Sequence, residues 1–545
     1  MTTTNAIGIN FADVYSDQTT INGSYFFNKT NVFNTSNSFT QNLFGTNTTT
    51  VNNSAIADAD RVNHRLNFTI DTKLDSTTSI RIQPNISYTE SDGRSSNIYD
   101  RNVLTTVTNG IQQYNTLSQT PSISNNLLIR KKFQRRGRSI SLNVNTNIND
   151  SDAENLNQIT DNIITGSSTV TRITNQLNDN KSESFSNSSR LVYTEPLSKT
   201  LSLELNFQNN YIKDNNNRQV FNFNPASQSY DLIDPIFTND FENTTMTNSL
   251  GFSFNKTEKK YNWNIGLAVL NTDRENLNLT TGNVFNQNFY NLTPSAQYRY
   301  TFSQNKRLEV RYRGNTQQPS IAQIQPIPDN TNTQTVVLGN PTLRPSFGNN
   351  LTINYRNFNF ASFRTFFALV SVNQTFNSFA KNTELITNPA DVNFGKIATT
   401  FLNVAGNYNG FAVVNFGQPI VKGNKLTLNL SANLNFDRQT NFTNSIKNIN
   451  NNITSGGSVR LVSNLDKLDL VGGMSVSYTN SKFSAQPTSN NSFYRLTPNI
   501  DISYLFPGNI RLQSDLYYNK VTGQGNFDTD YVILNGYISR QFFKN

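Results

Sequence analysis

The sequence predicts an all-β protein, a transmembrane antiparallel β-barrel of about 20 to 22 strands with short periplasmic turns and long extracellular loops. Three observations carry this prediction. Apolar and polar residues alternate with a period of two, the alternating runs match a bilayer in length, and the connections between them alternate between short and long. Composition agrees with it. Only 15% of the 545 residues are charged and 35% hydrophobic, and Asn outnumbers the 45 basic and 36 acidic side chains together, unlike an ordinary soluble enzyme. With no Cys and one His, disulfides, thiolate nucleophiles and Cys/His zinc sites are excluded. The net charge of +9 is mild and its basic residues are scattered or sit at turns, so nucleic acid is not an expected partner.

A first strand is expected over residues 6–13. Farther on, Ile80, Ile82, Ile86 and Tyr88 alternate with Arg81, Gln83, Asn85 and Ser87. Leu201, Leu203, Leu205 and Phe207 alternate with Ser202, Glu204, Asn206 and Gln208. Tyr261, Trp263, Ile265, Leu267 and Val269 alternate with Asn262, Asn264, Gly266 and Ala268, and Leu308, Val310 and Tyr312 with Glu309, Arg311 and Arg313. In the longest run Leu426, Leu428, Leu430, Ala432, Leu434 and Phe436 are separated by Thr427, Asn429, Ser431, Asn433 and Asn435. One register is apolar and charge-free in each case, as a two-faced strand requires. A last strand is expected over residues 531–543.

A soluble sheet with one wet face also alternates, so length decides. Soluble strands run about 5 or 6 residues, whereas these reach the roughly 9 to 11 that a tilted membrane strand needs. Lys or Arg on the lipid face near the midplane costs about 2–4 kcal/mol, which explains the charge-free register. Tyr88, Tyr211, Tyr261, Phe436, Tyr478, Tyr504 and Tyr518 lie near the ends of the apolar registers, where interfacial girdles belong. The longest unbroken apolar run, residues 366–370, falls far short of the about 20 residues of a membrane helix. An Asn-rich disordered tract would lack this periodicity, and a β-helical adhesin would show a short fixed repeat, which is not visible.

Short connections fall at residues 14–18, 75–78, 134–137, 197–199, 257–260, 304–306, 356–362, 417–424, 466–467 and 507–509. Long polar stretches at 28–60, 91–121, 150–182, 214–243 and 316–346 separate them. Each short turn joins two strands, and the last strand makes the total odd. An odd antiparallel set does not close, and the first strand runs downward into a short turn, so an upward strand ahead of Met1 is expected. The opening MTTTNAIGINF has no basic stretch followed by an apolar one and thus no secretory signal.

Four segments carry a family resemblance: GINF followed by TTINGSYFFN near the start, NHRLNFTIDTKLDSTTSIRIQPNISY at 63–88, QQPSIAQIQPIPDNTNTQTVVLGNPTLRPSFGNNLTINYRN at 317–357, and ISRQFFKN at the end. Through them the chain resembles, over nearly its whole length, the outer-membrane β-barrel family that forms the barrel part of TonB-dependent receptor-like proteins. The resemblance implies one outer-membrane barrel domain over residues 1–545, incomplete at both ends. In similar proteins a signal peptide, a small carboxypeptidase-regulatory-like β domain and a plug precede it, and a further pair of strands follows. It also implies energised uptake across the bacterial outer membrane, with outer-membrane lipid, a plug, the TonB system and a surface lipoprotein as partners, and no cofactor. The alternative is a barrel that no longer transports and scaffolds a surface assembly.

Within residues 317–357, Gln317, Gln318 and Pro319 end a strand, Pro326 and Pro328 force extended backbone, and Asn340 with Pro341 opens a turn. This reads as an extracellular loop on the barrel rim. It either shapes the mouth or contacts a ligand or partner lipoprotein, with Asp329 as the candidate binding residue. Lys131, Lys132, Arg135, Arg136 and Arg138 form the sharpest basic cluster, a solvated turn or a grip on anionic head groups or a periplasmic partner. His64 reads as structural. Asn-x-Ser/Thr triplets such as those at Asn28 and Asn67 follow from composition and are not read as glycosylated. No Gly-rich phosphate loop or catalytic constellation is present, so no enzymatic activity is expected.

Overall fold

The computed structural model of the chain describes residues 1–44, 47–324, 335–388, 391, 393–525 and 528–540. Long strands come first: β1 (Thr2–Ser16), β2 (Thr19–Phe44), β3 (Asn47–Lys73), β4 (Thr78–Val103), β5 (Thr106–Lys132), β6 (Ser139–Thr165), β7 (Ser168–Pro196) and β8 (Leu201–Asn224). A short β9 (Ser229–Ile233) precedes β10 (Asn239–Thr257), β11 (Tyr261–Asn278), β12 (Val284–Ser303) and β13 (Lys306–Gln317). Then come β14 (Thr335–Val337), β15 (Ser346–Asn359), β16 (Arg364–Phe376), β17 (Ser378–Leu385), β18 (Ile397–Val404) and β19 (Asn407–Val421). The chain continues through β20 (Leu426–Thr443), β21 (Ile446–Ser463), β22 (Leu468–Phe483), β23 (Asn491–Phe506), β24 (Ile510–Thr522) and β25 (Thr529–Arg540).

Of these 25 strands, the short β9, β14, β17 and β18 belong to extracellular connections, and the other 21 form one antiparallel wall. Each wall strand pairs with the next, β8 reaching past β9 to β10, β13 past β14 to β15, and β16 past β17 and β18 to β19. The count agrees with the one read from the turns. Among the described residues β1 pairs with β2 alone and β25 with β24 alone, and both edge strands are exposed along their length. Being odd in number, the wall leaves these two edges running in the same sense, so they cannot form an antiparallel pair with each other.

Burial identifies the inner face. Buried apolar side chains gather at the extracellular end, among them Tyr99, Val103, Ile159, Val220 and Phe241. Each shares a register with residues that are polar lower in the same strand: Ile159 on β6 follows Asn143, Asn145 and Asn147, and Val103 follows Arg81, Gln83 and Asn85. Loops fold over this register at the top, so it faces the lumen. The opposite register holds Leu250, Ile265, Leu292, Leu434 and Ile500, all exposed, an outward apolar band suited to hydrocarbon.

Aromatic residues cap that band at both levels. On the periplasmic side Tyr300 stacks edge-on against Phe302 at 4.6 Å, Tyr355 against Phe366 at 5.7 Å, and Tyr504 against Phe506 at 4.6 Å. On the extracellular side Phe185 meets Tyr211 at 6.2 Å, Tyr408 meets Phe436 at 6.2 Å and Tyr478 meets Tyr494 at 4.7 Å. His64 belongs to this upper girdle. Tyr25 Oη lies 2.8 Å from its Nδ1, and its ring packs 5.0 Å from Phe27.

The long polar stretches are largely strand, contrary to the expectation of loops. β2 runs on to Phe44 before β3 begins at Asn47, β4 meets β5 across Leu104 and Thr105, and β6 meets β7 across Gly166 and Ser167. With β7 at 29 residues, nearly three times the roughly 9 to 11 that cross a bilayer, this side of the wall stands well above the membrane. Backbone pairing is fully satisfied within such hairpins, which lets polar sequence continue as strand once it leaves the hydrocarbon.

Candidate substrate passage

The lumen is lined by neutral amides and hydroxyls that bond one another across strands. Asn126 donates to Asn145, Asn145 to Asn143 at 2.9 Å and Asn143 back to Asn126 at 3.4 Å. Ser188 donates to Asn210 at 2.5 Å, and Asn147 to Ser186 at 3.2 Å. Asn67, one of the Asn-x-Thr positions, sits mid-strand in β3 and donates to Ser24 Oγ at 3.3 Å. These stretches of the lining present hydrogen-bonding groups without a fixed charge.

Above the membrane the lining tightens into a buried polar row. Tyr99, Gly110, Asp161 and Arg172 stand opposite one another on β4, β5, β6 and β7. Tyr99 Oη donates to Asp161 Oδ1 at 2.5 Å and Arg172 Nη2 to Asp161 Oδ2 at 2.6 Å. The tyrosine spans two strands because β5 carries no side chain between them: a Cβ on Gly110 would lie 2.2 Å from Tyr99 Cζ. Asp161 is 1% exposed, and the buried guanidinium of Arg101 adds to these two donors, so the carboxylate is surrounded by protein groups rather than by water. The next rows continue the network, with Gln112 donating to Asn157 at 3.0 Å and Tyr114 to Asn155 at 2.9 Å.

Two connections close over this row. The β13–β15 connection carries Asn340, whose Nδ2 donates to Phe401 O of β18 at 2.8 Å and whose Oδ1 caps Thr342, the expected turn. Arg344 and Asn403 exchange bonds of 2.8 and 2.9 Å, and Leu343, Phe401 and Ala398 are buried between the two connections. At the far end of the β17–β18 hairpin, Leu385 and Ile397 pack on Val103 at the tip of β4. β4 and β16 lie far apart around the wall, so the hairpin spans the mouth.

Of the other residues singled out in the sequence, some lie away from this row and some outside the described residues. Asp329, with Pro326 and Pro328, lies outside the described residues. Pro319 is buried, and its carbonyl accepts from Arg274 Nη1 at 2.6 Å, which ties the loop to the inner wall. The basic cluster is a braced periplasmic hairpin: Arg135 Nη1 and Arg138 Nε donate to Glu195 at 2.7 and 2.8 Å, and Tyr193 Oη at 2.6 Å. Lys131 donates to Thr78 Oγ1 at 2.7 Å. In the adjacent β3–β4 turn, Thr77 and Thr78 donate side-chain and backbone bonds to Asp75, holding its carboxyl well below the usual range, the Thr77 hydroxyl most strongly. The Tyr99–Asp161–Arg172 row escaped sequence reasoning. A Gly inside a strand was its one local signal.

Comparison with known proteins agrees with this architecture. Residues 131–468 match the outer membrane protein beta-barrel family. No curated protein matches the sequence. Among solved structures, the copper transporter OprC is similar at 8% identity and a TM-score of 0.52, covering 95% of this chain and 73% of its own. The outer membrane transporter YddB from Escherichia coli is similar at 8% identity and a TM-score of 0.51, covering 98% of this chain and 75% of its own. At such identity these likenesses speak to the fold: a large outer-membrane barrel. With the family match over more than half its length, an outward apolar band and a hydrogen-bonding lumen, this chain belongs to the outer membrane protein beta-barrel family.

Proposed function

We propose that the chain is the translocation barrel of an outer-membrane receptor that takes up its substrate in a TonB-dependent manner, with residues 1–545 acting as a single barrel domain around a plug. The observation that carries this reading is the hydrogen-bonding lumen of a 21-strand wall. Barrels of about 8 strands fill their interior with their own side chains, whereas those of about 22 strands enclose a plugged lumen. A wall of this girth lined by Asn, Ser and Thr leaves a wet path for a solute larger than a porin admits. In this reading the extracellular loops bind the substrate, the plug rearranges when pulled by the inner-membrane system, and the substrate leaves below. A surface lipoprotein partner fits the same scheme.

The hairpin across the mouth favours a second reading, a closed barrel that scaffolds a surface assembly. Locking the hairpin separates the two. An ideal Cβ on Gly395 lies 3.8 Å from Val103 Cβ, at the mean Cβ separation of a disulfide, about 3.8 Å. The chain has no Cys of its own, so Val103→Cys with Gly395→Cys creates a single pair. The barrel refolded in planar lipid bilayers is expected to conduct when this pair is reduced and to lose conductance when it is oxidised. No conductance in either state would refute the passage and favour the scaffold.

A further inference from the structure

One sector of the inner wall departs from the neutral lining. β13 rises from the periplasmic turn with Leu308, Val310 and Tyr312 outward, which puts Arg307, Glu309, Arg311 and Arg313 on the lumenal register. β12 places Arg299 opposite Glu309, and β15 places Arg356 opposite Arg307. Five arginines therefore share one sector with a single carboxylate. Successive lumenal residues along β13 are spaced about 7 Å apart, so the cations form a column rising from the periplasmic rim.

Glu309 neutralises only part of this charge. It accepts from Arg311 Nη2 at 2.7 Å, Arg299 Nε at 3.2 Å and Gln297 Nε2 at 3.0 Å. Among the described residues, no carboxylate pairs with Arg307, Arg313 or Arg356, and Arg307 Nε is buried without an acceptor. Three lumenal arginines elsewhere do have a carboxylate beside them: Arg81 pairs with Asp71, Arg190 stands 3.8 Å from Glu204 and Arg460 3.6 Å from Asp501. What distinguishes β12, β13 and β15 is that five arginines cluster on three neighbouring strands around one carboxylate.

We propose that this arginine column binds a solute carrying two or more carboxylate or phosphate groups as it crosses the lumen, an assignment that rests on the polar register lining a passage. Guanidinium forks match both anions bidentately and keep their charge at any working pH. A concave, partly enclosed wall of one sign concentrates anions against it. Repulsion among the uncompensated arginines is relieved when an anion bridges them, and stepwise spacing lets a multivalent anion pass from one pair to the next.

The test is calorimetric titration of inorganic pyrophosphate, and separately of the tricarboxylate tricarballylate, into the barrel refolded in zwitterionic lipid. Saturable binding that weakens steeply with added salt is expected. Arg307→Gln and Arg313→Gln should each weaken it by about tenfold or more, as loss of a hydrogen bond to a charged group implies. Arg307→Lys and Arg313→Lys, which keep the charge but lose the fork, should fall between. Arg190→Gln, in a matched pair elsewhere, should bind as the unmodified barrel does. Folding of every variant is checked by heat-modifiable migration. Absence of saturable binding to the unmodified barrel, or undiminished binding by the Arg307→Gln/Arg313→Gln double variant, would overturn the assignment. Equilibrium binding needs no transport, so a barrel that conducts but does not bind refutes the column alone, and one that binds but never conducts refutes the passage.

Discussion

Gly110 is the position where a single methyl group should do the most damage to the extracellular end of the wall. Its ideal Cβ would stand 2.2 Å from Tyr99 Cζ and 2.6 Å from Tyr99 Oη, far inside contact distance, so Gly110→Ala must push the ring off β5. The ring then loses its 2.5 Å bond to Asp161. A hydrogen bond to a charged group contributes about 1.5–3 kcal/mol, and Asp161, 1% exposed, has no water to take its place. Gly110→Ala should therefore cost about 1.5–3 kcal/mol, and Tyr99→Phe, which removes only the hydroxyl, a similar amount. Tyr99→Ala should cost more, roughly 3–5 kcal/mol, because a buried aromatic ring is lost as well. In that background, however, Gly110→Ala meets empty space and should cost nothing or gain slightly, since Ala is favoured over Gly in a strand by about 0.5–1 kcal/mol. The assay is reversible urea unfolding in lipid vesicles, reported by Trp263, the one Trp in the chain. An equal cost of Gly110→Ala with and without the Tyr99 side chain would show that the two do not meet, and would refute the row.

Two further predictions concern the periplasmic turns. Asp75 has a depressed carboxyl pKa because Thr77 and Thr78 donate to its charged form, so its contribution to the β3–β4 turn is complete above the ordinary carboxylate range, about pH 4, and is lost as pH falls through the depressed folded value. Protection of the Thr77 and Thr78 amide protons, relative to their intrinsic exchange at each pH, should persist until pH falls through the depressed folded value and be lost below it, whereas Asp75→Ala should leave them unprotected at every pH; protection that does not change with pH in the unmodified protein would contradict this. Glu195→Gln should loosen residues 133–138 with little effect on global stability, because the arginines it braces are largely exposed. Faster hydrogen exchange confined to that hairpin is the expected reading, and unchanged exchange would show that the brace does not order it.

The membrane-crossing part of the fold was legible because lipid imposes a signal on every strand. A charge-free register such as Leu428, Leu430 and Leu434 stands out against Asn429 and Asn433, and the short turns punctuate it, which is why the strand count could be read from turns alone. Above the bilayer that signal vanishes. On β6, Asp152 and Glu154 face outward and Ser151, Asn155 and Asn157 inward, so both registers are polar and alternation cannot be seen. The hairpin continues for reasons of backbone pairing, which leave no pattern in residue type. The buried row was illegible for a related reason: Tyr99, Gly110, Asp161 and Arg172 come from four strands, and only the register of three successive ladders aligns them. The arginine column was half visible, since Arg311 and Arg313 are near neighbours in sequence, but Arg299 and Arg356 join it only through pairing.

The central claim is that one register of each wall strand faces hydrocarbon and the other a wet lumen, and neighbouring positions on β11 test it most directly. Leu267 pairs with Phe252 and Pro294 in the outward register, and Asn264 faces inward, donating to Asn255. Leu267→Arg should destabilise the barrel by about 2–4 kcal/mol if the site lies near the midplane. Asn264→Arg should cost about 1 kcal/mol, the worth of one neutral hydrogen bond. Both are measured by urea unfolding in the same lipid. A clear excess cost for Leu267→Arg supports the assignment of faces, and equal costs, or the reverse order, would contradict it.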